Sequence, residues 1–467
     1  MNRLPPEIIS SVVQYVQDGE IWGRTRRIIP LTHVCRYWRT VVISAPNFWT
    51  SISTDDRKNL AELSLGRTEA APLDIHIDMD RFQENNWTAN LLRPKVQYTK
   101  SLAVLNPPWR VEDVATALPD FPQSMPNLRS LKIIKGPIPD WDRTADPFGS
   151  FSHSLRCLTL KNIPLYPSFL NLGTLTTLSL NDDNFHLHLD TLLDFLEANH
   201  SLQSATLCVS FMEPSLRSSQ RQSPIGNQLQ HLSISCMYVT EVQALVSNIA
   251  LQRGAHLEIW SARLNQILSG ISTTHLTNLP SPTSVEYEIQ PRRIRLSGPN
   301  GSFSLDSFRG STSDLFVEFP FLPLANVREF HLIDHESSWT PRLSPATDHL
   351  SSLPSLKTFT FECETGIPYL STLLLNSSSP PSLTTLAFLN CDLSDLSVEV
   401  LTRFASNRKN TTSTRLHRVV IVDSGGKFPS AASIDALEKH VPAVDVVRGE
   451  KLPTDLWCVT VFPSSKQ

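Results

Sequence analysis

One short phrase, repeated along the chain, constrains the fold more than any other feature: a leucine or its substitute, two residues, an apolar residue, one residue and a second apolar residue. It reads Leu128-x-x-Leu131-x-Ile133, Leu155-x-x-Leu158-x-Leu160, Leu175-x-x-Leu178-x-Leu180, Leu202-x-x-Ala205-x-Leu207 and Leu229-x-x-Leu232-x-Ile234. It returns at Val327-x-x-Phe330-x-Leu332, Leu356-x-x-Phe359-x-Phe361, Leu383-x-x-Leu386-x-Phe388 and Leu416-x-x-Val419-x-Ile421. The first positions are spaced by 27, 20, 27 and 27 residues, then 98, then 29, 27 and 33. A period of this size marks a repeat architecture in which each unit is one supersecondary element. Apolar alternation within the phrase is the period of a strand, whereas Leu189 to Leu196 and Val239 to Leu251 carry helical spacing. Each unit is therefore a strand plus a return segment. One unit cannot bury its apolar face alone, and stacking units in register yields a parallel sheet over a continuous core. The 98-residue interval contains Leu257-x-Ile259, Val285-x-Tyr287-x-Ile289 and Ile294-x-Leu296, which read as degenerate repeats or an insertion. Upstream, Leu73-x-Ile75-x-Ile77 reads as an edge strand and Leu102-x-Val104 as the next.

The phrase resembles the leucine-rich repeat, and the resemblance implies an α/β fold, a right-handed solenoid with a parallel sheet. It also accounts for most of the cysteines without chemistry. Cys208, Cys236, Cys363 and Cys391 fall six to eight residues after the first leucine of their phrases, where such repeats place Asn or Cys at the turn leaving the strand; Asn162 and Asn181 occupy similar places. With the apolar positions committed to the core, target contact falls to the alternate positions: Arg129, Lys132, Arg156, Thr159, Lys161, Gln203, Gln230, His231, Arg328, His331, Lys357 and Glu362. The segments Arg217 to Asn227 and Asn376 to Ser382 read as projecting loops, either recognition elements or tolerated insertions.

The first fifty residues differ in kind. Prolines at 5 and 6 suit a helix start, where a missing donor costs nothing, and Glu7 suits the first turn. Ile8, Ile9, Val12, Val13 and Val16 then recur at helical spacing up to Gly19. After Pro30, a second helix is predicted through Leu31, Val34, Cys35, Trp38, Val41 and Val42, ending at Pro46 with Phe48 and Trp49 packed beneath. Cys35 reads as a small buried hydrophobe. The blocks Leu4-Pro5-x-Glu7-Ile8-Ile9, Val34-Cys35-Arg36-x-Trp38-Arg39 and Pro46-x-Phe48-Trp49 together resemble the F-box, in the F-box-like form common in fungal families. The match covers about a tenth of the chain. It departs from the pattern between the blocks, where Trp22-Gly-Arg-Thr-Arg-Arg27 is more basic and longer than usual. The resemblance implies docking on a Skp-type adaptor, through which the chain joins a cullin/RING ubiquitin ligase. It assigns the contact to Leu4, Pro5, Ile8, Ile9, Val34, Cys35 and Trp38. The domain reading is then a helical box at 1–50, a connecting region with the first divergent repeats at 51–110, the repeat array at 111–447 and a C-terminal strand and tail at 448–467.

Charge and motif content narrow the function classes. Lys+Arg 41 against Asp+Glu 45 leaves a net charge of -4, without the basic footprint of a nucleic-acid or anionic-membrane binder. The N-terminus lacks the pattern of a secretory signal, and the seven cysteines are scattered with no close pair, so the expected location is the cytosol or nucleus. No GxGxxG, Walker A, GxSxG or HExxH motif occurs, and His335-Glu336 lacks the second histidine, with Trp339 in its place. His186-x-His188 beside Asp182, Asp183 and Asp190 is the best metal-like cluster and reads as a solvated loop. The expectation is a substrate receptor that is not an enzyme, with no catalytic residue, metal or cofactor, and with an unidentified protein target. The alternatives are a repeat scaffold or regulator whose box only caps the array, and an enzyme hidden between Leu257 and Phe319.

Overall fold

In a computed structural model of the chain, the structure describes residues 4–17, 24–84, 87–106, 125–135, 154–163, 165, 169, 172–211, 225–226, 228–235, 239–252, 254–260, 282–288, 292–299, 301–307, 322, 324–334, 353–363, 380–391, 393, 395–411, 415–423 and 429–448. They divide into two compact units, Met1–Leu229 and Gln230–Gln467.

The first unit opens with a helical box. Helix α1 (Pro6–Gln17) starts at its proline and buries Ile9 and Val13, one turn apart. A short α2 (Arg24–Ile28) buries Thr25 and Ile28. The helix expected after Pro30 is split into a 3₁₀ turn (Pro30–His33) and α3 (Arg36–Ser44). The break falls at Cys35, which is extended at φ −162° and whose Sγ accepts the Trp38 N–H at 3.5 Å. Cys35 is thus an exposed helix cap and not the buried hydrophobe expected. A second 3₁₀ turn (Pro46–Trp49) places Phe48 and Trp49 in the core with Ile9, Val13, Ile28 and Val42. The Trp49 indole N–H donates to the Val42 carbonyl at 3.0 Å, and the Arg67 guanidinium lies 4.3 Å from the ring centroid.

A ladder of parallel strands follows directly: β1 (Ser51–Ser53), β2 (Leu73–Asp78), β3 (Thr99–Leu105), β4 (Ser130–Ile134), β5 (Cys157–Lys161), β6 (Thr177–Leu187) and β7 (Ser204–Phe211). Each pairs in parallel with the next. The Leu73 strand is therefore interior. The Ser-Ile-Ser edge was hidden in the sequence because three residues are too few to show a period. Register aligns the apolar positions into rows: Ile52, Ile75, Leu102, Leu131, Leu158, Leu178 and Ala205 form one, and Ile77, Val104, Ile133, Leu160, Leu180 and Leu207 the other. All are buried. Each fully buried aliphatic contributes about 1.5–3 kcal/mol, so the rows are the principal stabilising element. Helix α4 (Lys58–Arg67) and α7 (Leu189–Ala198) are return segments, and α7 buries Leu189, Leu192, Leu193, Phe195 and Leu196. Between β2 and β3 lie α5 (Met79–Glu84) and α6 (Trp87–Leu92).

The second unit repeats the arrangement with one interruption. Its strands are β8 (His231–Ser235), β9 (His256–Trp260), β10 (Ser284–Glu288), β11 (Arg292–Gly298), β12 (Gly301–Ser307), β13 (Glu329–Asp334), β14 (Thr358–Cys363), β15 (Thr385–Leu389), β16 (Arg418–Asp423) and β17 (Ala443–Arg448). Strand β9 is a degenerate repeat, parallel to β8. Strands β10, β11 and β12 form an antiparallel meander, with β12 parallel to β9 and β10 parallel to β13. The wholly parallel sheet expected is therefore broken at β11. The links on either side of β11 are only a few residues long, and a short link permits antiparallel pairing alone. From β13 to β17 every pairing is parallel. Phe330, Phe359 and Phe361 fill the apolar rows where leucine stands elsewhere; Phe330 meets Phe359 edge-on at 5.1 Å, and Phe361 stacks on Phe388 at 5.3 Å. Helices α8 (Val239–Asn248) and α9 (Asp395–Thr411) are returns. Buried Arg408 of α9 donates to the carbonyls of Pro380, Pro381 and Leu383, pinning the described part of the segment read as a projecting loop. The other such segment, like Cys236, His335, Glu336 and residues 449–467 beyond β17, lies largely or wholly outside the described residues.

Strand exits use asparagine. Asn106, Asn162 and Asn390 adopt positive φ, which short polar side chains tolerate best after glycine. Asn162 is buried, its side-chain amide donates to the Lys135 carbonyl at 3.0 Å, and its N–H donates to the Asn181 carbonyl at 2.7 Å. Cys391 is buried with its Sγ directed at the carbonyls of Phe361 and Leu389. Asn181 and Cys208, read as turn residues, instead lie paired within β6 and β7. Replacing Asn162 with Ala should cost about 2–4 kcal/mol, from the lost buried bond and the unfavourable φ. Asn162→Gly should cost about 1 kcal/mol less, because glycine relieves the backbone term. Urea denaturation of the two variants checks that order.

Candidate functional site

Ile9 and Val13 of α1 face the box core, while Ile8 and Tyr15, seven residues apart on the same helix, and Leu4, two residues ahead of it, remain 48%, 83% and 47% exposed. Val34, between the 3₁₀ turn and α3, is 58% exposed. Of the six exposed large apolar side chains among the described residues, these four stand on the box, and Leu63 and Val446 lie elsewhere. Of the residues the resemblance implicated, Leu4, Pro5, Ile8, Val34 and Cys35 are exposed, and Trp38 is partly buried against the box core. Ile9 is fully buried and unavailable to a partner. Tyr15 was overlooked although it continues the Ile8 stripe at helical spacing.

The box also closes the β1 edge. The Thr25 hydroxyl donates to the Ser51 carbonyl, and Arg26 Nε lies 3.0 Å from Asp56 Oδ1, while Asp56 Oδ2 accepts the Ser53 N–H. Burial raises the Asp56 pKa despite this partner.

The alternate strand positions separate into two sets. Arg129, Arg156, Gln203, Gln230, Arg328 and Lys357 are exposed at strand entrances, one residue ahead of the ladder. Each unit has a chain of bonds there: Arg129 N–H donates to the Lys100 carbonyl, and Arg156 N–H to that of Arg129. In the second unit, Lys357 N–H donates to Arg328 and Thr384 N–H to Lys357. This register puts Lys100, Arg129 and Arg156 on consecutive strands as a basic ridge. The other set stands on the strand face opposite the apolar rows: Lys132, Thr159, Lys161, His231, His331 and Glu362, all half-buried. His331 Nε2 lies 3.2 Å from Glu362 Oε2, and Asn390 Nδ2 donates to the other carboxylate oxygen.

That face is not open throughout. Ser53, His76 and Ala103 are buried in the first unit, as are Thr360, Ala387 and Val420 in the second. Ala387, Val420 and Val422 form a small core of their own with Leu389 and Val447. Polar side chains on this face that are half-buried or exposed are Lys132, Thr159, Ser179 and Thr206 in the first unit and His231, Glu258, Glu286, Arg295 and His331 in the second. The segment read as a solvated loop is in part strand: His186 lies in β6 opposite Ser210, and His188 is exposed at the start of α7.

No family model matches the chain, and no curated protein matches it. Among solved structures, a leucine-rich-repeat protein of Leptospira interrogans aligns over 82% of this chain and 91% of its own length, at 12% identity and a TM-score of 0.31. The repeat fold itself rests on the strand register. No helix among the described residues is long and apolar enough to cross a membrane.

His76 gives the face a pH signature. Its imidazole is 4% exposed, and burial, followed by the charges of Arg24 and Lys132, lowers its pKa from 6.5 to about 4. Between those values the unfolded chain takes up a proton that the folded chain refuses. Stability therefore rises with pH across this window, and acidification from pH 7.5 to 5 should cost about 2 kcal/mol at this residue. Urea denaturation at the two pH values should show a shallower dependence in His76→Gln; an equal dependence would remove His76 from this account.

Proposed function

We propose that the chain is a substrate receptor of a Skp/cullin/F-box type ubiquitin ligase. The helical box docks a Skp-type adaptor through Leu4, Pro5, Ile8, Tyr15 and Val34, and the polar strand faces hold a protein target. The observation that carries this reading is the exposure of Leu4, Pro5, Ile8, Val34 and Cys35: five of the seven residues that the F-box resemblance assigns to adaptor contact stand outside the box core, while Ile9 is buried in it and Trp38 packs against it. Ubiquitin transfer falls to other subunits, and the chain is not itself a catalyst. Such a complex operates in the cytosol or nucleus.

The competing reading is a repeat scaffold or regulator in which the box only caps the array. Its support is the set of bonds from Thr25 and Arg26 to the first strand and Asp56. Capping alone, however, gives no reason for an apolar outer stripe on α1.

Copurification of the full chain with a Skp-type adaptor separates the readings. Leu4→Ala, Pro5→Ala and Ile8→Ala combined should weaken the complex by at least about 100-fold, since each aliphatic lost from the interface costs about 1.5–3 kcal/mol. The triple variant should keep its melting temperature, because these side chains are exposed in the free chain. Ile9→Ala should instead lower stability by about 2–5 kcal/mol by opening the box core. A well-folded parent chain that fails to bind the adaptor would leave the scaffold reading.

A further inference from the structure

The polar face of the second unit brings together donors that lie far apart in sequence. Register pairs His231 of β8 with His256 of β9, and His256 with Ser302 of β12. Two residues along, Ser233 pairs with Glu258, and Glu258 with Ser304. All of these strands belong to one unit. The imidazole centroids are 5.0 Å apart, and ligand atoms of His231, His256 and Glu258 all lie within 4.8 Å of one another. All three residues are half-buried, so an ion could reach them while losing part of its water shell.

The surrounding bonds leave a free ligand atom on each residue. His256 Nδ1 is 2.5 Å from Ser302 Oγ, which leaves Nε2 for a cation and fixes the ring, as outer-shell partners do for metal-bound histidines. Glu258 Oε2 accepts the Ser233 hydroxyl at 3.0 Å, so Oε1 remains. His231 Nδ1 is buried with no hydrogen-bond partner among the described residues. The nearby cation Arg295 is engaged by Glu286 at 2.8 Å.

We infer that His231, His256 and Glu258 form a divalent transition-metal site of the zinc class on the polar strand face, with a fourth position open to water or to a side chain of the bound target. Two imidazole nitrogens and one carboxylate oxygen suit zinc, cobalt or nickel and not calcium or magnesium, which prefer all-oxygen shells. Bonds of about 2.0–2.1 Å require ligand atoms roughly 3.3 Å apart, which modest side-chain rotations supply from the present spacing. The inference is independent of the adaptor reading.

The test is titration of the chelator-treated full chain with cobalt(II), followed by displacement with zinc. One equivalent should bind, with the visible spectrum of a low-coordinate nitrogen/oxygen site and no thiolate-to-cobalt charge-transfer band. His256→Ala and the near-isosteric Glu258→Gln should each lose more than about 100-fold in affinity, and Ser302→Ala about 10- to 100-fold, as expected for an outer partner. The urea midpoints of these variants without metal should match the parent. Absence of stoichiometric uptake, a thiolate band, or uptake undiminished in both His256→Ala and Glu258→Gln would overturn the site.

Discussion

Parallel pairing of neighbouring strands in fixed register is the constraint on which everything else in this chain depends. A strand that slips by one residue sends its apolar set to the wrong face. The rows Ile52 to Ala205 and Ile77 to Leu207 exist only because six successive pairings keep their alignment. Asparagines at positive φ, such as Asn162, and the buried Arg408 clamp act on the same requirement. They satisfy carbonyl groups where the chain leaves or enters the ladder, where an unpaired buried group would cost about 1–3 kcal/mol.

The ladder also determines what its other face can do. Each polar position acquires a lateral neighbour from a different repeat, so chemistry that no short motif encodes can arise. His231, His256 and Glu258 meet this way, as do His331 and Glu362 and the entry residues Lys100, Arg129 and Arg156. At the other end of the first unit, the helical box ties itself to β1 through Thr25, Arg26 and Asp56 while keeping Leu4, Ile8 and Tyr15 outward.

Much of this was legible in the sequence, because the signals were periodic. The repeated phrase marked the strands of β4–β8 and β13–β16, and helical spacing marked α1, α7 and α8. What stayed hidden was either too short or too distant to show a period. Strand β1 has three residues, and the break at Cys35 looks apolar and continuous until its thiol is seen capping α3. Reversal of β11 follows from short links that the degenerate phrases obscured. The candidate cation site escaped notice because its histidines are a full repeat apart. Spacing along one segment shows only pairs such as His186 and His188, whereas this meeting occurs across two strands. Alternation places a residue on a face but carries no signal of whether that face is covered, as it is at His76, Ala387 and Val420.

The central claim is a division of labour between the outward stripe of the box and the strand ladder. Hydrogen–deuterium exchange of the full chain, with and without a Skp-type adaptor, tests it most directly. The account predicts slowed exchange confined to residues 4–17 and 34–44, with the strands of both units unchanged. Exchange that is unaltered in those two segments, or that slows in the strands alone, would contradict it.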